Sequence, residues 1–88
     1  AGRVPVSNIF GLHARPATEI ARAAECCDGR ITIGNETVCA DARKPMELFK
    51  LEAVRGSTVT VTFSNVTNLA DARSVYHQIY RAANNELN

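Results

Sequence analysis

The stretch STVTVTF, from Ser57 to Phe63, shows the strictest alternation of polar and apolar residues in this chain. Its apolar residues fall at every second position, and its threonines and valines are β-branched residues that favour extended backbone. A period of two predicts a strand that buries one side and exposes the other. We therefore expect a central strand, in a sheet with one covered face.

Three weaker strand patterns precede it. Residues 4–8 begin with two valines at alternate positions and end in turn-prone Ser and Asn, and residues 30–33 (RITI) alternate polar and apolar side chains. Residues 37–40 (TVCA) follow the turn at residues 34–36 (GNE), and we expect them to be the hairpin partner of the preceding strand.

Three other stretches follow the helical period. Residues 14–24 place apolar side chains on one face, and Pro16 fits the first turn, where its missing N–H breaks no helical bond. Residues 45–51 predict a short helix, and Thr67 or Asn68 can cap a final one. The apolar stripe of that last helix comprises Leu69, Ala72, Val75, Tyr76, Ile79 and Ala83. The order β-α-β-β-α-β-α predicts a two-layer α+β fold, an open-faced sandwich with helices on one face.

Composition narrows the class of protein. The 88 residues are 45% apolar and 22% charged, as in one soluble globular domain, which we expect to span residues 1–88. Ten Lys and Arg against nine Asp and Glu give a net charge of +1, which does not favour a nucleic-acid partner. No apolar run approaches the roughly 20 residues that cross a bilayer, so we expect no membrane insertion and a cytoplasmic location.

The number and spacing of the cysteines indicate no disulfide or metal-binding framework. Cys26, Cys27 and Cys39 are odd in number and lack CxxC spacing, which fits neither a disulfide scaffold nor a zinc site. We expect reduced thiols, no bound metal and no cofactor. A redox role for the adjacent pair stays open.

The segment GLHARP, at residues 11–16, contains the candidate functional residues. It places His13 just before the first predicted helix, where the leading N–H groups have no helical acceptor and the helix dipole is positive. Because proline has no N–H, the candidate anion donors are the amides of Ala14, Arg15 and Ala17. The helix terminus favours binding of a negatively charged group beside the histidine.

Arg15 adds a guanidinium that can bind a phosphate through two parallel hydrogen bonds. A positive surrounding also favours the neutral imidazole of His13, whose lone pair can attack phosphorus. The alternative is that His13 is an ordinary exposed loop residue. The other histidine, His77, falls off the apolar stripe of the last helix and is expected to be a surface residue.

Residues 11–17 (GLHARPA) closely resemble the active-site segment of the HPr family, the small phosphocarriers of the bacterial phosphoenolpyruvate-dependent sugar phosphotransferase system. The element order and length match as well, and the spacing from His13 to residues 48–51, Gly56 and residues 58–63 fits the family without a gap. The resemblance implies a four-stranded antiparallel sheet with three helices on one face.

The resemblance also implies the roles of the site residues. His13 would be phosphorylated on Nδ1, Arg15 would steady the phosphoryl group, and the amides of Ala14 and Arg15 would hold it. The donor would be enzyme I, itself phosphorylated by phosphoenolpyruvate, and the acceptors would be enzyme II A components. Such a protein is a stoichiometric carrier rather than an enzyme, and we expect a monomer.

Partner docking in this family uses apolar residues of the short helix, which here are Pro45, Met46 and Phe49. Met46 and Phe49 are three residues apart and share one helix face. The alternative is that both belong to the core, together with Leu48 and Leu51.

Three positions depart from the family pattern. Lys44 stands where many members carry a serine that a kinase phosphorylates, so we predict that this control is absent. Phe10 replaces a residue that is often polar, which puts a hydrogen bond near the active site in doubt. Cys26 stands where the first helix often ends with glycine, so the helix end is expected to close differently.

Two further functions stay open. An HPr-like paralogue in a nitrogen-related or other regulatory phosphotransfer chain would share the same active-site segment. A non-transferring regulatory binding module is the other, although the presence of His13 argues against it. A phosphatase ranks below these because no general acid or metal is encoded near His13. The sequence names neither the sugar nor the acceptor protein.

Overall fold

The computed structural model describes residues 2–8 and 10–84, which form four strands and three helices. In chain order they are β1 (Gly2–Pro5), α1 (Ala14–Ala24), β2 (Arg30–Gly34), β3 (Cys39–Asp41), α2 (Pro45–Phe49), β4 (Thr58–Ser64) and α3 (Leu69–Asn84). The predicted order of elements is confirmed. None of the helices in the described part of the chain is both long and apolar enough to cross a membrane.

The four strands form one antiparallel sheet in the order β1-β4-β2-β3. As predicted, β4 is central. Val59 pairs with Val4 on one side, and Val61 pairs with Ile33 on the other. The valines of β4 are buried and its threonines are exposed, because successive side chains of a strand point to opposite faces.

Helices cover only the apolar face of the sheet, which confirms the open-faced α+β sandwich. The large side chains that are fully buried come from both layers, and they include Ile31, Ile33, Val61, Ile20, Leu48, Val75 and Ile79. Helices α1 and α3 pack beside each other over this core, and α2 lies next to α1. The buried face of α1 therefore packs in the common core.

Strand β3 begins at Cys39, two residues later than predicted. The side-chain Oδ1 of Asn35 accepts hydrogen bonds from the N–H groups of Thr37 (2.9 Å) and Val38 (2.8 Å). This local ring of bonds keeps both residues in the turn, because an Asn side chain can replace the ladder partner of a backbone N–H.

The ends of the other elements also differ. Strand β1 ends at Pro5, although Val6 after it is still buried. Helix α2 ends at Phe49 instead of residue 51, because the following N–H groups bond three residues back in tight turns. Of the two possible caps of α3, Asn68 is the one used, and its Oδ1 accepts the N–H groups of the second and third helical residues. Leu69, assigned to the apolar stripe, is 72% exposed, so that assignment was wrong.

Helix α1 closes without glycine at position 26. The N–H groups of Cys26 and Cys27 bond to carbonyls three residues back, and the Arg43 guanidinium donates to the carbonyls of Cys27 and Gly29. All three cysteines are free. Burial raises the pKa of the Cys27 thiol, which favours its neutral and unreactive form.

Asp28 ties the end of α1 to the loop before α3. Its carboxylate accepts hydrogen bonds from the backbone N–H and the hydroxyl of Thr67, and these bonds lower the pKa of Asp28 from its ordinary 3.8. Since the folded pKa is the lower one, the interaction stabilises the fold at neutral pH, and this contribution disappears as the pH falls through the folded value.

Asp28→Asn should therefore lose less thermal stability than the parent protein between about pH 6 and pH 2.5. Thr67→Val, which removes only the hydroxyl donor, should lie between the two. Midpoints of thermal unfolding across a pH series provide the measurement. Parallel curves for Asp28→Asn and the parent protein would contradict this assignment.

Candidate functional site

His13 is the N-cap of α1. Its backbone is extended (φ −77°, ψ −170°), and the helix begins at the next residue, Ala14. The imidazole makes no capping hydrogen bond. The side chain of His13 thus lies at the positive end of the helix without being used to satisfy that end.

The free amides at this helix start are those of Ala14 and Arg15. Neither has an acceptor among the described residues, as expected for the first N–H groups of a helix. The prediction that Ala17 also donates to a phosphate was wrong, because its N–H donates to the His13 carbonyl at 3.0 Å. That bond is the first of the helix, so with Pro16 in between, two amides remain for an anion.

The loop before His13 is held by close backbone packing. Gly11 has a φ of +67°, and a Cβ atom at this position would lie 2.1 Å from the carbonyl oxygen of Ala53. The N–H of Leu12 donates to the same oxygen at 3.0 Å, and the Leu12 side chain is buried. Glycine is required here both for the backbone conformation and for the close approach.

Asn8 is a structural residue of the site that the sequence analysis missed. It is fully buried, its Oδ1 accepts the N–H of Phe10 at 3.2 Å, and its carbonyl accepts the N–H of Gly11 at 2.9 Å. The N–H groups of Ser7 and Asn8 both donate to the Ala83 carbonyl. Asn8 thereby connects the loop before His13 to the end of α3. A polar residue between an apolar strand and a required glycine is the signal that could have indicated it.

The His13 side chain is half-buried. Its Nε2 is buried and has no hydrogen-bond partner among the described residues. The phenyl ring of Phe10 lies edge-to-face with the imidazole, at a centroid distance of 5.6 Å and an interplanar angle of 87°. His77, as expected, is exposed on α3.

Arg15 is exposed in the first turn of α1, and its guanidinium has no ion pair or hydrogen bond within the described residues. It is therefore available for an anion. Lys44, by contrast, is the N-cap of α2 and lies 3.7 Å from the Glu47 carboxylate.

The structure divides the predicted docking residues of α2. Met46 is 70% exposed, whereas Pro45 is half-buried and Phe49 is half-buried against the core. The expectation of an exposed Phe49 was thus wrong in part, because Phe49 packs beside the fully buried Leu48 at the core's edge. Phe10 (73% exposed) and Val54 (62% exposed) are further exposed apolar side chains, on the two loops that meet at Gly11.

A half-buried histidine at a helix start, with free amides and an exposed arginine beside it, is the arrangement that a histidine phosphocarrier requires. The family model described as "PTS HPr component phosphorylation site" matches residues 2–81. This chain belongs to the HPr family of phosphocarriers.

Relatives agree with that membership. The chain is 39% identical over 59 residues to phosphocarrier protein NPr of Shewanella violacea, an alignment that covers 67% of this chain and 65% of that protein. It is 32% identical over 60 residues to phosphocarrier protein HPr of Vibrio cholerae, covering 68% and 71%. The crystal structure of HPr-C-His from Thermoanaerobacter tengcongensis shares the fold, with a TM-score of 0.81 at 20% identity, covering 97% of this chain and 96% of that one.

Proposed function

We propose that this protein accepts a phosphoryl group from enzyme I on Nδ1 of His13 and passes it to enzyme II A components during sugar uptake. The observation that supports this most is the position of His13 as the N-cap of α1, next to the free amides of Ala14 and Arg15. Membership of the HPr family supports the same partners.

The proposed transfer exchanges one bond to phosphorus for another. The Nδ1 lone pair attacks phosphorus, the bond from phosphorus to the donor breaks as the Nδ1–P bond forms, and the ring proton stays on Nε2. The phosphoryl oxygens bind the N–H groups of Ala14 and Arg15 and the guanidinium of Arg15, where the helix dipole adds further stabilisation. Since these donors are in place beforehand, transfer requires little rearrangement of the carrier. The reverse steps deliver the group to the acceptor.

Arg15→Ala should lower the single-turnover rate of phosphorylation by roughly 10- to 100-fold, the value of one or two charge-assisted hydrogen bonds. Arg15→Lys should recover part of the rate, because lysine keeps the charge but not the paired donors. Quenched-flow measurement with phosphorylated enzyme I tests both. Arg22→Ala, an exposed arginine further along α1, serves as the matched control. An equal loss in that control would show that general charge, not the position of Arg15, matters.

Met46 is proposed to dock partners, together with Pro45 and the open part of Phe49. Met46→Glu should raise the KM for transfer from enzyme I by about tenfold, as burying an unpaired carboxylate in an apolar contact is costly. Labelling by phosphoramidate, a small donor that needs no docking, should not change. Lys50→Gln changes the net charge by the same one unit at an exposed position beyond the last residue of α2. A larger increase in KM for the Lys50 variant than for Met46→Glu would show that the docking surface is not centred on Met46.

A second candidate is a paralogue in a nitrogen-related or regulatory phosphotransfer chain. It is favoured by the higher identity to the relative named NPr, 39%, than to the relative named HPr, 32%. Both candidates use His13 in the same way, so only the acceptor separates them.

The deciding experiment presents the phosphorylated protein to purified enzyme II A components of sugar-specific and nitrogen-related type, at equal concentration. Rapid loss of label to a sugar-specific component supports the leading proposal. Transfer to the nitrogen-related component alone establishes the paralogue, and transfer to neither favours a regulatory binding module. A His13→Ala protein, incubated in the same way, corrects for label carried over with enzyme I.

A further inference from the structure

Phe10 contacts the imidazole on which the proposed function depends. The rings meet edge-to-face with centroids 5.6 Å apart, within the range of favourable aromatic pairs. Because the phenyl ring is 73% exposed, burial in the core does not explain its position.

The unpartnered Nε2 of His13 is an independent observation at the same place. This nitrogen is shielded from solvent and has no hydrogen-bond partner within residues 2–8 and 10–84. A buried polar atom without a partner is unfavourable, whereas the face of an aromatic ring can accept a weak hydrogen bond from an N–H. Perpendicular rings allow an N–H at the edge of one ring to point to the face of the other.

We propose that the face of Phe10 accepts the Nε2–H of His13, so that Phe10 is a positioning residue that sets the tautomer of the imidazole. A neutral imidazole carries one N–H and one lone pair. With the proton fixed on Nε2, the lone pair lies on Nδ1 of the residue that precedes the free amides of Ala14 and Arg15.

The contact also suits the phosphorylated state. Formation of the Nδ1–P bond, with the donor bond broken and the proton retained on Nε2, places positive charge on the imidazole ring. An aromatic face attracts that charge. The consequence for transfer rests on the proposed function, whereas the tautomer assignment stands independently of it.

Nitrogen-15 NMR of the labelled imidazole at about pH 8.5, where a histidine side chain is neutral, tests the assignment. In the parent protein the Nε2–H form should predominate. Phe10→Leu keeps the apolar bulk but removes the aromatic face, and should lower the ratio of the Nε2–H to the Nδ1–H form by about two- to tenfold. Phe10→Tyr should retain the parent ratio.

Val54→Ala is the matched control, since Val54 is exposed on the adjacent loop and has no ring to offer. Its tautomer ratio should equal that of the parent protein. Thermal unfolding and circular dichroism should show all three variants folded, because both side chains are mainly exposed.

The kinetic measurement uses phosphoramidate as the donor. Phe10→Leu should be labelled on His13 two- to tenfold more slowly than the parent, and Phe10→Tyr at the parent rate. An unchanged tautomer ratio in Phe10→Leu overturns the proposal, even when transfer from enzyme I is slower, because that result describes a docking residue. If the tautomer ratio changes in Phe10→Leu but the parent protein accepts no phosphate from enzyme I, the positioning role of Phe10 is supported and the proposed function is wrong.

Discussion

His13→Ala should abolish phosphorylation by phosphoenolpyruvate and enzyme I, with no label above background. The reason is that the imidazole supplies the attacking lone pair, and the other histidine, His77, is exposed on α3. Intact-mass spectrometry before and after mild acid treatment measures the effect, because a phosphate bound to nitrogen is lost in acid.

His77→Ala provides the control for this experiment. It removes the other histidine, which is exposed on α3, and should leave labelling unchanged. Persisting acid-labile phosphate on His13→Ala, or its loss from His77→Ala, would place the acceptor nitrogen elsewhere in the chain.

Gly11→Ala should produce the largest loss of stability among single changes near the site, roughly 2–5 kcal/mol. Two costs combine: alanine is strained at a φ of +67°, and its Cβ would lie 2.1 Å from the Ala53 carbonyl oxygen, where only a shift of backbone relieves the overlap. The midpoint of thermal unfolding should fall by about 10 °C or more. Phosphorylation should slow as well, since the displaced loop carries His13.

Gly56→Ala separates these two costs. Gly56 also has a positive φ, +93°, but nothing lies within 4 Å of a Cβ atom added there. Only the conformational cost of about 1–2 kcal/mol should appear, with phosphorylation unaffected. Equal losses for both glycines would mean that the contact with Ala53 contributes little.

Sequence pattern predicted the elements of the fold well, because the side-chain periods of two and 3.6 report burial directly. The strand at residues 58–63 and the helix at residues 14–24 were found where expected. Element ends were less predictable, since they depend on individual polar side chains. Asn35 takes two N–H groups that were assigned to β3, and Asn68 starts α3 in a position that leaves Leu69 in solvent.

The candidate site shows the same division. The position of His13 at the helix start and the free amides of Ala14 and Arg15 were predicted from the sequence, because the first N–H groups of a helix have no helical acceptor. The amide of Ala17 was misassigned, as the first helical bond depends on the residue at which the helix begins. The role of Asn8 was only weakly signalled by its place between an apolar strand and Gly11, because it depends on a contact with Ala83, 75 positions away along the chain.

The central claim is that the phosphoryl group bonds to Nδ1 of His13 and is held by the helix start. Phosphorus-31 and nitrogen-15 NMR of the enzyme I-phosphorylated protein tests it directly. We predict one phosphorus signal coupled to Nδ1 and large downfield shifts of the Ala14 and Arg15 amide protons, with the Ala17 amide little changed. A phosphoryl group on Nε2, or amides of Ala14 and Arg15 that do not respond, would contradict the account.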